Sequence, residues 1–384
     1  MKKRKENLMM YKEKIIKYQV EIVVFSIFFF YLLVVRMTIP IFQGWGYPIG
    51  KWVIDWDYYA RMSQDIFLIF KRQIIKPFCY RPLVPLIGGL LPFDLETNYS
   101  LINFFAIYFT GVVLYFTLRL KFNKGISIFG LFVFCYLNYL PTAGIELFPE
   151  YAFFHALFYE VYNVDSMILF FLMCSFYCIF SDKRKLYCIS LVLGVLVKEF
   201  ILITIPVYLI YDYMKRDINK NDKDKSNALL RNTIYVVPGI LTYLIMLVIV
   251  VPQPLTEDPR AYMVWYTQVY EGNDYGSIGM IMKWVGKRIN QILHEFALLK
   301  WTIGSWGITL LALCFFNKKD TLIKWVKLYG LFMVLIYSQM LFGAAETKYI
   351  HQGFYPMIFL SASGLNRIYE SLSSYIVKRT IFYR

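Results

Sequence analysis

Asp55 and Asp57 open the stretch "DWDYYARMSQDIFLIFKRQIIKPFCYRPLVPLI" (55–87), a polar interlude in a chain otherwise rich in Phe, Leu, Ile and Tyr. A carboxylate within hydrogen-bond reach of a hydroxyl can act as a general base. Arg81, in "YRPLVP", could stabilise negative charge that develops on a leaving group. A second polar point is Lys198–Glu199, in "GVLVKE", which interrupts an apolar run over 186–213. Asp165, at the outer start of another apolar segment, and Glu346, Lys348, Tyr349 and His351 in "AAETKYIH" lie at comparable depth. An ionisable group inside a bilayer costs on the order of 2.5–3.5 kcal/mol on insertion scales. Groups of this kind from distant parts of the chain are therefore expected to line one outward-facing cavity. Asp165, Glu199, Glu346 and His351 could touch a substrate or a divalent cation, and no metal is assigned.

The elements that must carry these residues are membrane helices. The 384 residues are 58% hydrophobic and 20% aromatic, with a mean hydropathy of +0.49, beyond what a soluble domain of this length carries. A span needs roughly 20 apolar residues, and runs at 20–40, 101–120, 125–141, 164–180, 186–197, 200–213, 233–251, 301–316, 322–342 and 350–368 make about ten. The ten-residue alternation of a membrane β-barrel is absent. The expected fold is an all-α polytopic membrane protein. The lead "MKKRKENLMMYKEK" is too basic and too long for a removable signal peptide, so the first span is expected to stay as an anchor.

Lys and Arg set the orientation. "RLKFNK", "SDKRK", "MKRDINKNDKDK", "NKKD" and the tail "VKRTIFYR" fall on one side with the N-terminus if every span crosses once. Both termini are then cytoplasmic and most carboxylates extracytoplasmic. The net charge of +15 reads as a topology signal and a contact with anionic membrane lipids, and nucleic acid is excluded as a partner. The chain divides into an N-terminal transmembrane module (1–213) with an extracytoplasmic loop at 41–100, a cytoplasmic linker (214–232), and a C-terminal module (233–384) with a loop at 252–300. A bias toward Lys, Ile, Phe and Tyr suits an AT-rich microbial genome, and a bacterial plasma membrane is the expected location.

In the first loop Ile54, Tyr58, Met62, Ile66 and Ile69 recur at helical spacing, with Asp55, Arg61, Gln64, Asp65, Lys71 and Arg72 between them. This predicts one amphipathic helix along the membrane surface. The segment 81–93 is too short to cross and is broken by Pro82, Pro85 and Gly88–Gly89. The second loop repeats the amphipathic pattern over 281–299, after an aromatic-rich stretch with Tyr262, Trp265, Tyr266, Tyr270 and Tyr275 that offers stacking faces. Of six cysteines, Cys174 and Cys178 share a helix face without a His or carboxylate at ligand spacing, which indicates core packing. Glu146, Glu150 and Glu160 with His155 could bind a divalent ion or merely solvate a loop.

Each chemical residue also has a structural reading. Asp55 and Asp57 could solvate the loop, and Arg81 could anchor at the interface with its head in water. Lys198 and Glu199 could neutralise each other at a helix break. Asp165 could cap the helix that starts there or sit in its first turn.

Taken together, an Asp just after the first span, surface helices in that loop, "YRPLVP", "GVLVKE" between short helices and "ETKY" before the last span resemble the GT-C superfamily of membrane glycosyltransferases. The likeness is one of layout over nearly the whole chain. It implies a polyprenyl-phosphate sugar as donor and a glycan, lipid or protein hydroxyl as acceptor; no cofactor is assigned, and a divalent cation could bind. It implies that Asp55, or Asp57 in its place, acts on the acceptor, that Arg81 orients the first loop or holds the donor phosphate, and that Lys198 stands at the lipid-phosphate end of the cavity. Lys348–Tyr349 stands where the family has Arg-Tyr, and Lys lacks the bidentate contact of Arg. A transporter or flippase of a lipid-linked sugar would share the buried charges and broken helices. A polymerase or ligase would use a similar donor.

Overall fold

Long apolar runs fold as helices, and no strand occurs among the described residues. The segment 81–93, expected to be broken by Pro82, Pro85 and Gly88–Gly89, instead holds one helix over Leu83–Leu90: Pro85 falls in its first turn, where a backbone amide has no helical partner to lose, and both glycines lie within it. The computed structural model describes residues 2–38, 54–71, 73–74, 78–139, 164–216, 232–250 and 354–382. Helix α1 (Lys2–Thr38) lies in a unit of its own, Met1–Pro40, and the second unit is Ile41–Arg384. The second unit contains α2 (Ile54–Gln64), α3 (Leu83–Leu90), α4 (Leu95–Arg119), α5 (Lys124–Tyr139), α6 (Asp165–Phe180), α7 (Arg184–Val197), α8 (Thr204–Arg216), α9 (Val237–Ile249) and α10 (Phe354–Phe382).

Two of the described helices are long and apolar enough to cross a membrane: Tyr18–Thr38 within α1 (21 residues, mean hydropathy 2.3) and α4 (25 residues, 1.9). At about 1.5 Å per residue, α4 is about 38 Å long, more than a hydrocarbon core. It starts before the predicted boundary of 101 because Asp94 caps it, accepting from the Thr97 amide at 2.9 Å and the Thr97 hydroxyl at 2.7 Å. Helices α6 and α9 are apolar but shorter. The expected spans at 301–316 and 322–342 and the loop at 252–300 lie outside the described residues, as do Glu146, Glu150, His155 and Glu160.

The predicted amphipathic helix over 54–69 is two pieces. Helix α2 ends at Gln64, and a 3-10 turn takes over at Ile66–Phe70. Asp65 makes the break, because its carboxylate accepts from the Phe67 amide at 2.9 Å and offers the backbone an alternative to the helical bond. The Lys71 ammonium, 2.9 Å away, and that amide hold the Asp65 carboxyl below its usual range. This cap is therefore complete above about pH 4 and is lost as pH falls through the lowered value. Tyr58, Met62 and Ile69 of the expected stripe are buried, and so is Tyr59.

Helix α4 packs on α6, α6 on α7, α7 on α9, and α5 on both α4 and α10. Helices α9 and α10, from the expected C-terminal module, thus rest on helices of the expected N-terminal one. Small residues permit close approach: a Cβ on Gly239 of α9 would meet Leu191 of α7 at 2.5 Å, and one on Gly194 would meet Ile201 at 2.8 Å. Polar pairs tie the helices at depth, including Ser175 with Ser190 at 3.0 Å and the Ser166 hydroxyl donating to Asn103. Phe105, Phe109 and Phe116 of α4 and Leu244 and Val248 of α9 face outward, as a lipid-facing surface would.

Candidate functional site

The site is built around a helix break. Helix α7 ends at Val197, where the Lys198 amide still reaches the Gly194 carbonyl at 2.8 Å. Lys198 is extended (φ −164°, ψ 131°), and a 3-10 turn, Glu199–Ile203, leads into α8. Successive side chains in extended backbone point in opposite directions, whereas on a helix they would be about 100° apart. Lys198 and Glu199 accordingly serve different partners.

Lys198 Nζ donates to Asp165 Oδ1 at 2.6 Å, with the two side chains 7% and 3% exposed. Asp165 is the first residue of α6; the N-cap position is Val164, and Asp165 lies in the first turn, where the helix dipole favours a carboxylate. Ser166, next in the chain, bonds across to Asn103 of α4, which fixes the start of α6 against its neighbour.

Glu199 turns to Arg81. Arg81 Nη2 donates to Glu199 Oε1 at 2.7 Å and Nε donates to Oε2 at 3.2 Å, a bidentate pair spanning 118 residues of sequence. Arg81 Nη1 donates to the Tyr59 hydroxyl at 3.3 Å. The guanidinium carbon lies 5.9 Å from the centroid of the Phe78 ring, which stacks on Tyr58 and meets Tyr59 edge-on, each at 5.5 Å. Burial alone would lower the Arg81 pKa; Tyr59 and the Glu199 carboxylate outweigh it and hold the group well above the ordinary arginine value. The guanidinium is therefore a fixed cation. The reading of Lys198 and Glu199 as mutually neutralising is replaced by two crossed pairs, and Arg81 is buried where an interfacial anchor would hold its head in water.

Positioning comes from α2, α3 and α4. The Tyr99 hydroxyl of α4 donates to the Tyr59 carbonyl at 3.2 Å and lies 2.8 Å from Ser63 Oγ, locking the turn of α2 that carries Tyr59. Gly89 of α3 lets that helix approach α2 closely, since a Cβ there would sit 2.1 Å from the Ser63 carbonyl oxygen. Asn98 closes the bend between α3 and α4, donating to the carbonyls of Gly88, Leu91 and Phe93 at 2.8–3.0 Å. Pro82 follows Arg81 directly and disfavours helix there, so Arg81 leaves the Phe78–Tyr80 turn before α3 begins.

Of the sequence-predicted residues, Arg81, Asp165, Lys198 and Glu199 come together in these linked pairs. Asp55 and Asp57 lie in the first turn of α2 by backbone, Asp55 one turn before Tyr59. Glu346, Lys348, Tyr349 and His351 lie outside the described residues. Tyr59 escaped the sequence reading, being one of 33 tyrosines. Its one available signal was helical spacing, four residues after Asp55. No group of three or more His, Cys, Asp or Glu suited to a metal occurs among the described residues. No protein-family model, no curated protein and no solved structure matches the chain.

Proposed function

We propose that the chain is a multi-pass membrane glycosyltransferase of the GT-C type. It moves a sugar from a polyprenyl-phosphate-linked donor to an acceptor hydroxyl on the extracytoplasmic side, and both its termini are cytoplasmic. The observation that carries this reading is the pairing of two buried cations, Arg81 and Lys198, with Glu199 and Asp165 at a helix break, beside a helix bearing Asp55 and Asp57. Buried, prearranged cations suit a reaction in which a phosphate departs.

The chemistry is one displacement. Asp55, or Asp57 in its place, takes the acceptor hydroxyl proton as the oxygen attacks the anomeric carbon. The bond from that carbon to the phosphate oxygen breaks, and the polyprenyl phosphate leaves with the electron pair. Inversion follows from a single in-line attack. Arg81 and Lys198 stabilise the charge on the leaving phosphate, and Lys348 and Tyr349 serve the same end of the donor. The donor's prenyl chain stays in lipid throughout, so a groove open to both lipid and water is the geometry required.

Transfer of radiolabelled sugar from a panel of polyprenyl-phosphate sugars to membrane acceptors tests the reading, with wild type and the Asp55→Asn and Asp57→Asn variants at matched expression. Loss of the base is expected to lower the rate by about 10²–10⁴-fold. A loss confined to Asp57→Asn moves the base by two residues. Absence of transfer from every donor, with translocation of a lipid-linked sugar across vesicles, replaces the reading by a flippase. The interrupted helix at Lys198 is the feature such a protein would share.

A further inference from the structure

Arg81 turns its Nε and Nη2 edge to Glu199 and its remaining nitrogen to Tyr59. Two parallel donors along one guanidinium edge are the arrangement with which arginine grips two oxygens of a phosphate. In the structure that edge is already taken. The partners differ in access: the Arg81 side chain is 9% exposed and the Glu199 side chain 35%. Glu199 is thus the more exposed partner, and an anion can take the Nε and Nη2 edge only in place of its carboxylate.

The backbone around Glu199 permits that exchange at the level of the side chain. Glu199 opens a 3-10 turn directly after the extended residue Lys198. The Lys198 amide and carbonyl are held by Gly194 and Ile201, at 2.8 and 3.2 Å, so rotation of the Glu199 side chain leaves the end of α7 in place.

We infer that Glu199 occupies the anion position of Arg81 as an internal stand-in, and that the phosphate of a lipid-linked ligand displaces it. The inference rests on the proposed function for the lipid phosphate and deepens it by naming the residue that sets the affinity for that ligand. Two anions do not share one guanidinium edge without strong repulsion, so binding of one expels the other. A donor phosphodiester carries one negative charge and the departing monoester carries more, so Arg81 grips the leaving group more tightly than the donor, as catalysis of departure requires. The returning carboxylate then competes the product away.

The test is binding of farnesyl phosphate to the full-length protein in detergent micelles by titration calorimetry, with farnesol and inorganic phosphate as separate arms. Wild type is compared with Glu199→Gln, with Glu199→Asp, which keeps the charge but is one methylene shorter, and with Arg81→Gln. Glu199→Gln is expected to bind farnesyl phosphate about tenfold more tightly, Glu199→Asp to show a smaller gain, and Arg81→Gln to lose the gain of phosphate over farnesol. Unchanged or weaker binding in both Glu199 variants overturns the inference. An equal gain for inorganic phosphate overturns the lipid source. A gain for farnesyl phosphate in a protein that transfers no sugar leaves the inference standing and removes the transferase reading alone.

Discussion

Lys198 and Asp165 show what a buried ion pair demands of each partner. The pair lies 2.6 Å apart with both side chains under a tenth exposed, and its net worth is small against the cost of taking two charges from water. Removing one charge is a different matter, because the other stays buried without its counter-ion. Lys198→Met is expected to destabilise by about 3–5 kcal/mol. The double variant Lys198→Met/Asp165→Asn is expected to lose clearly less than the sum of the two single losses. Unfolding of the four proteins in detergent checks this, and strict additivity would show that the pair is not coupled. In the second pair Arg81 is as buried as Lys198 but Glu199 is about a third exposed, so solvent screening reduces what that pair adds to stability and leaves the exchange of partners as its larger consequence.

At the scale of the element, the site depends on two local features of the backbone. Helices α2 and α3 approach so closely that the Ser63 carbonyl fills the space a side chain at Gly89 would need. Gly89→Ala is expected to destabilise by about 1–3 kcal/mol, as overpacking does, and to loosen Tyr59 on Arg81. Gly125→Ala is the control, since its nearest added contact is an ordinary 3.5 Å to Asn123, and it is expected to be close to neutral. Thermal unfolding of both variants separates the two cases. The hairpin of α6 and α7 turns on Asp182 at φ 60°, with the Lys183 amide reaching back to the Cys178 carbonyl at 2.8 Å and the Asp182 amide to Ile179 at 3.3 Å. These bonds make a Schellman motif with Asp at its left-handed position. Asp182→Gly is expected to keep the turn, whereas Asp182→Val costs about 1–2 kcal/mol from a branched side chain in that conformation. The comparison of their melting temperatures measures the difference.

For the whole molecule, the proposed topology puts the turns at Phe122 and Lys183 and the linker residue Asp222 in the cytoplasm and the bend at Phe93 outside. Reporter fusions at these four points are expected to report that pattern, and a cytoplasmic signal at Phe93 would reverse the placement of the site. Hydropathy made α1 and α4 legible, because a run of apolar residues long enough to cross a bilayer has few other uses, and Pro82 and Lys198–Glu199 announced where helices break. Asp65 was misplaced within a continuous helix because its spacing suits a helix, while its carboxylate bonds the backbone two residues on. Asp165, Lys198 and Glu199 could each be singled out from the cost of charge in an apolar setting, and Arg81 from its place in "YRPLVP". Their pairing could not, because a partner 118 residues away is chosen by which helices pack and by the extended residue that turns Lys198 and Glu199 apart. Tyr59 likewise became part of the site only through the approach of α2 to the Arg81 segment, held by Tyr99 from α4. Sequence by itself determined that charges would sit among apolar helices and that a helix would break at Lys198–Glu199, since both follow from local solvation and backbone preference. Tertiary structure alone decided which charge meets which, since that depends on distances between segments that no local preference encodes.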